Sequence, residues 1–401
     1  MSFFELDLQA MMEWRHTIHR NPELGFEERD TSRLISECLD SWGYEVTTGI
    51  AVTGVIGRLV FGSGEGPTVG LRADMDALPL KEETGLPWQS RVMGKMHGCG
   101  HDGHTAILLG AAKLLSEIHA SDNHSWQGTL VVIFQPAEEV GGGGGAQRMI
   151  DEGLFDDFPC DAIFALHNFP GIPVGQCEFK RGPFMCSSDK VTIRITGKGG
   201  HAGLPHLAVD PTQPLGALIL GLQSLVSRNL NPLHTGLISI GRIRAGETYN
   251  IIPELCEMEL SVRALQPEVR EILRNRIHTL ADQIALSYNC QAHVVYETGY
   301  PVLINSDKEA AVIGEVAQSV FGAENVDIDA SPLTGSEDFA YMLQHVPGCY
   351  VLIGNGDNGY TGGERAGPCS VHNPHYDFND ECMNGGGQLW LKLIEHYFTR
   401  N

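Results

Sequence analysis

The residues most capable of chemistry in this sequence are three histidines and one thiol within eight residues: His97, Cys99, His101 and His104. Thiolate and imidazole are ligands that zinc and neighbouring first-row metals favour. Cys99 and His101 stand two positions apart, so on a helix they diverge, whereas in a loop both can turn to one side. The interleaved glycines favour the loop. A metalloprotease HExxH helix is excluded, because Gly98 stands where that motif requires glutamate. The alternative is a solvated Gly/His loop with an incidental thiol.

Further candidate ligands follow stretches that predict a buried strand or a loop. They are Asp74, Asp76, Glu138, Glu139, His167 and His372. Glu138 and Glu139 follow the continuous apolar run 129–134, which has the length of a buried strand. Alone, His167 would be interpreted as a satisfied core histidine and the glutamate pair as a solvated acidic pair. Because strand carboxyl ends gather at one edge of an α/β sheet, we expect these side chains to meet there.

The elements that must position these residues are predicted from hydrophobic periodicity. Helical spacing is found at 6–20, 27–42, 106–115, 306–321, 336–343 and in a last helix that ends at Tyr397. Strand-length runs are found at 52–61, 68–75, 129–134, 162–166 and 350–353. This alternation predicts an α/β catalytic domain over residues 1–183 and 300–401, with a central, mostly parallel mixed sheet flanked by helices. Ser336 is expected to cap the helix 336–343.

A different order of elements begins after Gly182-Pro183. Strands are predicted at 190–196, 236–243, 255–262 and 291–297, and helices at 211–227 and 267–288. The resulting β-α-β-β-α-β order is the ferredoxin-like pattern, one antiparallel sheet with helices on one face. We therefore predict an inserted α+β domain over residues 184–299, whose two short Gly/Pro connections can act as hinges.

Composition excludes several classes of protein. The 401 residues are 42% hydrophobic, enough for at least one large core, and carry 27 basic against 50 acidic side chains, a net charge of −23. That charge repels nucleic acid and anionic membranes. The ten cysteines form no Cys-x-x-Cys pair, and most are expected to be buried free thiols. The first residues lack the features of a signal peptide and no apolar run approaches a membrane span, so a cytoplasmic location is expected.

At this point the chain resembles a known family. The segments that carry the resemblance are 97–104, 135–139, 197–201 with Pro205-His206, 250–254, 335–339 and 372–375. They resemble the dinuclear-metal aminoacylase and carboxypeptidase superfamily, metallopeptidase family twenty. The nearest branch is that of hippurate hydrolases, indoleacetyl-amino-acid hydrolases and related N-acyl-amino-acid amidohydrolases, to which the Cys-Gly-His-Asp-Gly-His segment is specific. Where other branches carry a His-x-Asp motif, this chain has Asp74-Met75-Asp76.

The resemblance implies a role for each matching residue. Those that hold two divalent metals are Cys99, His101, Glu139, His167 and His372. Glu138 is the general acid/base, and Asp76, or alternatively Asp102, orients His101. In the inserted domain, His201 stabilises the oxyanion and Asn250 and Arg263 bind substrate. The soft thiolate favours zinc, with manganese, nickel or cobalt as alternatives.

The expected activity is hydrolysis of the amide of an N-acyl amino acid, a small-molecule substrate. A dipeptidase or carboxypeptidase with the same metal centre is an alternative. So are a cysteine hydrolase, with Cys99 as nucleophile and His101 as base, and a metal-binding protein without enzymatic activity. The inserted domain is expected to serve as a lid and to join chains into a homo-oligomer, most simply a dimer.

Overall fold

The computed structural model describes residues 4–121, 125–356 and 369–399. The strands are β1 (Glu45–Ile50), β2 (Gly54–Phe61), β3 (Thr68–Asp74), β4 (Gly128–Gln135), β5 (Ala162–Phe169), β6 (Cys177–Glu178), β7 (Gly182–Met185), β8 (Asp189–Thr196), β9 (Gly200–His201), β10 (Gly236–Ala245), β11 (Ile251–Ile252), β12 (Leu255–Ala264), β13 (Gln291–Thr298), β14 (Leu303–Asn305), β15 (Val326–Asp327) and β16 (Gly348–Gly354). The α-helices are α1 (Leu8–Arg20), α2 (Arg29–Ser41), α3 (His101–Ala120), α4 (Gly144–Asp151), α5 (Leu154–Asp157), α6 (Thr212–Asn229), α7 (Pro267–Ser287), α8 (Asp307–Phe321), α9 (Phe339–Leu343) and α10 (Cys382–Thr399).

The chain forms two compact units. The first runs through Gly182 and resumes at Ile304–Ser331 and from Asp338 onward. The second comprises Pro183–Leu303 and Pro332–Glu337, and it contains the whole of the predicted inserted segment.

The first unit is built on a mixed sheet. Within the described residues this sheet has eight strands in the order β1-β2-β4-β3-β5-β16-β6-β15. The central strands β4, β3, β5 and β16 are parallel to their neighbours in that series, and β4 and β16 are buried along their whole length. The apolar helix α3 packs against β3 and α10. This arrangement confirms the predicted α/β class, a mixed central sheet flanked by helices.

The helix α3 begins at His101, five residues earlier than its predicted start at 106. The expectation of a loop through residue 104 was therefore wrong for its second half. Gly100 precedes the helix in the left-handed region (φ +93°), which lets the chain turn directly into it. Gly103 lies within the first turn, and this position requires glycine because a Cβ there would approach the Phe378 ring to 2.3 Å.

The second unit contains a four-stranded antiparallel sheet in the order β10-β12-β8-β13. The helices α6 and α7 pack on one another and against this sheet. Their buried aliphatic side chains, such as Leu218, Leu222 and Leu273, form one core with Val191 and Met258 of the strands. The four strands of this sheet and the two helices follow in the order β-α-β-β-α-β that the sequence pattern predicts, and the short strands β9 and β11 pair separately.

The expected helix cap at Ser336 was wrong. The helix α9 begins at Phe339 and is preceded by Asp338, which makes no side-chain capping bond. The Asp338 carboxylate instead accepts hydrogen bonds from Arg72, from Gln135 and from the Ala146 N–H at 2.8–3.0 Å. These buried donors outweigh the local capping signal, and the helix is shorter as a result.

No helix in the described ranges combines the length and the apolar content that crossing a bilayer requires.

Candidate metal centre

The first unit brings the five predicted ligands and Glu138 together from distant parts of the chain. His101 is the first residue of α3, Cys99 lies two residues before it, and His167 lies in β5. Glu138 and Glu139 form a short 3₁₀ turn directly after β4, and His372 lies in the segment before α10.

Two groups of potential ligands share the Cys99 thiol. The ligand atoms of Cys99, His101 and His167 lie within 4.8 Å of one another, and so do those of Cys99, Glu139 and His372. A thiolate between two such groups can bridge two metal ions.

In the first group, each imidazole presents one free nitrogen to the thiol side. His167 Nδ1 donates to the Asn168 carbonyl oxygen at 2.5 Å, which leaves Nε2 3.3 Å from Cys99 Sγ. His101 Nδ1 lies 3.2 Å from Asp76 Oδ1. His101 Nε2 is buried and has no hydrogen-bond partner among the described residues. A carboxylate or carbonyl on one ring nitrogen and an open second nitrogen is the usual arrangement of a metal-binding histidine.

In the second group, His372 Nε2 lies 2.9 Å from Glu139 Oε1. His372 adopts a left-handed backbone conformation (φ +64°) that non-glycine residues rarely occupy. Its N–H donates to the Gly98 carbonyl oxygen at 2.7 Å, which ties its segment to the residue before Cys99. Backbone strain held by such a bond is typical of functional sites.

The cluster of acidic side chains at this centre favours a bound cation. Burial, together with Glu139 and Glu138, raises the pKa of the Cys99 thiol well above its usual value. Burial alone would lower the pKa of His101, but Asp74 and Asp76 raise it to about 10. Without metal, a proton on His101 therefore offsets part of the surrounding negative charge. The donor set and the unpartnered His101 Nε2 fit a divalent metal that would take the place of this proton.

Several residues that sequence reasoning did not assign support these ligands. His104 Nδ1 donates to Asp74 Oδ1 at 2.6 Å, and its Nε2 accepts the Asn168 N–H at 3.0 Å. The Tyr376 hydroxyl lies 2.5 Å from Asn168 Nδ2. The position of His104 within the histidine run was a usable signal for this role, whereas Asn168 and Tyr376 carried none.

The structure does not support the alternative prediction that Asp102 orients His101. Asp102 Oδ2 accepts hydrogen bonds from Arg15 Nε at 3.1 Å and from His19 Nδ1 at 2.8 Å. Asp76 is the carboxylate within reach of His101, and it also accepts the N–H groups of Glu138 and Glu139 at 3.0 and 2.9 Å.

The other three predicted site residues, His201, Asn250 and Arg263, belong to the second unit. His201 pairs with Ile251 across β9 and β11, and the Ala202 N–H donates to the Asn250 carbonyl oxygen at 3.1 Å. Arg263 donates to the Thr334 carbonyl oxygen at 3.1 Å. The fold thus places His201 beside Asn250, and the functional roles of all three remain predictions.

Comparison with known proteins agrees with this chemistry. The sequence model of Peptidase family M20/M25/M40 matches residues 70–396. The chain is 40% identical to the hippurate hydrolase of Campylobacter jejuni over 393 residues, 98% of each chain. It is 41% identical to the N-acetyl-L-cysteine deacetylase of Bacillus subtilis, over 86% of this chain and 80% of that protein.

A solved structure has the same fold. The crystal structure of a dinuclear metal-binding peptidase of the M20 family from Bacillus subtilis superposes with a TM-score of 0.82 at 32% identity, covering 96% of this chain and 97% of that one. The predicted family and the predicted hydrolase class are both confirmed. The chain belongs to Peptidase family M20/M25/M40.

Proposed function

We propose that this chain hydrolyses the amide bond of N-acyl amino acids and releases a carboxylic acid and a free amino acid. The observation that carries the proposal is the pair of ligand groups that share Cys99, with Glu138 beside them. The similarity to a hippurate hydrolase and to an N-acetyl-L-cysteine deacetylase supports N-acyl amino acids as the substrate class.

Two divalent ions are proposed to bind, one to Cys99, His101 and His167 and the other to Cys99, Glu139 and His372. When bound, they would supply the Lewis acidity that activates water near neutral pH and polarises the amide carbonyl. The soft thiolate and the imidazoles favour zinc, with manganese, nickel or cobalt as alternatives. The dinuclear metal-binding structural relative supports the number of ions.

Glu138 is the proposed general base and acid. Its carboxylate is largely buried, and Oε2 lies 4.0 Å from His101 Nε2. It is absent from both groups that contain Cys99, whereas Glu139 belongs to one of them. Glu138 takes a proton from the attacking water and returns it to the amide nitrogen as the C–N bond breaks. Its carboxylate does form a further possible ligand group with His101 and Glu139, so it stands beside the proposed metal site without contacting the Cys99 thiol.

Peptide cleavage is the second candidate, and the structural relative described as a peptidase favours it. Attack by the Cys99 thiolate is less well supported. The raised pKa of the Cys99 thiol opposes a free thiolate, and its 3.3 Å contact is to His167 rather than to His101.

The proposal is tested by a turnover screen. The purified chain is stripped with a chelator and reloaded separately with zinc, manganese, nickel or cobalt. Each sample receives N-benzoylglycine, N-acetylcysteine, an indoleacetyl amino acid or an unblocked dipeptide. Metal-dependent release of amino acid from the acylated substrates supports the proposal. Cleavage of the dipeptide alone favours the peptidase, and activity that survives chelation but not thiol alkylation favours Cys99 as nucleophile.

We further propose a cytoplasmic dimer whose subunit contact and lid lie in the second unit. Large apolar side chains are exposed on that unit, among them Leu220, Leu233, Tyr249 and Leu286. Large apolar side chains left exposed on a folded unit can form part of a protein interface. Sedimentation equilibrium should give twice the chain mass, and replacing Leu220 and Leu286 by lysine should lower it. A monomer for the unmodified chain would contradict the dimer.

A further inference from the structure

The turn that carries Glu138 is held at three consecutive backbone N–H groups by two buried carboxylates. The Ala137 N–H donates to Glu28 Oε1 at 2.9 Å. The next two N–H groups donate to Asp76, at 3.0 Å for Glu138 and 2.9 Å for Glu139. Three consecutive N–H groups bonded to buried side chains fix where the turn leaves β4, because breaking any of these bonds would leave a buried donor unsatisfied.

This turn needs external support. Ala137 lies in the left-handed region (φ +56°), which side chains other than glycine disfavour. Beyond the turn, Gly141, Gly142 and Gly143 all have positive φ and supply little rigidity of their own. The position of the Glu138 carboxylate is therefore set largely by what holds residues 137–139.

The Glu28 side chain serves the turn rather than its own helix. It is fully buried, and its second oxygen accepts the Thr53 hydroxyl at 2.6 Å. The N-terminus of α2 is capped instead by Glu23, which accepts the N–H groups of Asp30 and Thr31 at 3.0 and 2.9 Å.

The segment before Glu28 lies directly against the turn. A Cβ on Gly25 would come within 3.0 Å of the Ala137 Cα. The Glu23 carbonyl oxygen accepts the Ala77 N–H at 2.8 Å, next to Asp76. Residues 23–28 therefore contact the turn at Ala137 and also hold Ala77, the neighbour of Asp76, which is the other carboxylate that binds the turn.

We propose that Glu28 is a positioning residue for the general base Glu138, acting through the Ala137 N–H. This inference rests on the proposed amidohydrolase activity. Its consequence is specific: loss of the Glu28 acceptor loosens the turn and misplaces Glu138, while the ligands on α3 and β5 stay where they are. Misplacement of a catalytic group by about 1 Å can cost about 10²-fold in rate.

The test compares three variants. Glu28→Met keeps the length of the side chain but removes both acceptors. Glu28→Gln keeps an acceptor for Ala137 and is the conservative rescue. Burial raises the pKa of Glu28 to about 7, so the site already tolerates a neutral side chain near neutrality. Thr53→Val is the matched control, because it removes a bond to the same carboxylate without touching the turn.

Two readouts are measured on metal-loaded protein: kcat and KM for N-benzoylglycine, and hydrogen exchange of the backbone amides at 137–139. Glu28→Met, assayed at saturating metal, should lower kcat about 10- to 100-fold with KM unchanged, and should accelerate exchange at these amides. The ion proposed for Cys99, His101 and His167 should be retained, because those ligands lie outside the turn. Glu28→Gln and Thr53→Val should stay close to the unmodified chain in both readouts. If Glu28→Met does not fold, Glu28→Asp takes its place, since the shorter side chain withdraws the acceptor from the Ala137 N–H and should have the same two effects.

Two results would overturn the inference: an unchanged kcat in the folded variant, whether or not exchange is faster, or a loss of kcat without faster exchange. Glu138→Gln is assayed in parallel. If the unmodified chain turns over and Glu138→Gln does not, a failure concerns Glu28 alone. If the unmodified chain is inactive on every acylated substrate, the proposed function fails. The exchange measurement still tests Glu28 in that case, because unchanged exchange in Glu28→Met would show that Glu28 does not hold the turn.

Discussion

His101 turns one ring nitrogen toward Asp76, with 3.2 Å between Nδ1 and Oδ1, and its other nitrogen toward the ligand cluster. This contact fixes the tautomer that leaves Nε2 available for metal. Asp76→Ala should weaken metal binding about 10- to 100-fold, as expected for loss of a partner that orients a ligand. Equilibrium dialysis against buffered zinc measures this change. Asp282→Ala, at an exposed position on α7, is the control, and equal affinities for both variants would refute the role of Asp76.

Cys99 belongs to both ligand groups, so its loss should affect both ions. Metal analysis should find two ions per chain in the unmodified protein and less than one in Cys99→Ala, with activity lost in parallel. Cys38→Ala, in the half-buried face of α2, should keep both ions. At most one ion per chain in a fully active, unmodified preparation would exclude the dinuclear centre.

Arg15 is a buried cation that contacts three carboxylates. It lies 3.1 Å from Asp102, 2.7 Å from Asp377 and 2.5 Å from Asp380, and its own side chain is fully buried. Arg15→Met should lower the free energy of unfolding by about 3–5 kcal/mol, because it removes a buried cation from three carboxylates and leaves the buried Asp102 with His19 as its remaining charged partner. Urea unfolding measures this loss. Arg33→Met, at an exposed ion pair on α2, should change stability little. Equal midpoints for the two variants would contradict the prediction.

His19 links stability to pH. Burial alone would lower its pKa, but Asp102 and Glu82 raise the pKa of His19 to about 9, above the unfolded value of 6.5. Its contribution to stability is therefore fully present below pH 6.5 and is lost as pH rises through 9. The difference in melting temperature between the unmodified chain and His19→Gln should be largest near pH 6 and shrink toward pH 9–10. A difference that is constant, or that grows with pH, would show that the charge on His19 is not involved.

Elements whose hydrophobic pattern is local in the sequence could be predicted. The continuous apolar run 129–134 predicted β4 because a strand buried on both faces needs apolar residues at every position. The strand β1 was missed because it lies at the edge of the sheet and is mostly exposed, so threonines and glycine replace the apolar pattern. The early start of α3 was missed because its first turn is stabilised by tertiary contacts of Asp102 rather than by helix propensity.

The candidate ligands could be singled out by residue type, because thiol, imidazole and carboxylate after predicted strands and loops suit a metal centre; their individual roles came from the family resemblance and stay predictions. The residues that hold these ligands and the turn in place could not be predicted from the sequence. Arg15 contacts Asp102 across 87 positions of the chain, and Glu28 contacts Ala137 across 109. In the sequence, both residues look like ordinary charges on amphipathic helices at the start of the chain. Only the packing of α1 on α3, and of α2 on β1 and β2, gives these side chains buried partners.

The central claim is that Glu138 moves the proton while Glu139 holds metal. The most direct test measures metal content and kcat for Glu138→Gln and Glu139→Gln side by side on N-benzoylglycine. Glu138→Gln should keep both ions and an unchanged KM while kcat falls about 10²–10⁴-fold, and Glu139→Gln should lose metal. If both variants kept their metal and turned over at the normal rate, the glutamate pair would not take part in the reaction, and the hydrolytic account would be contradicted.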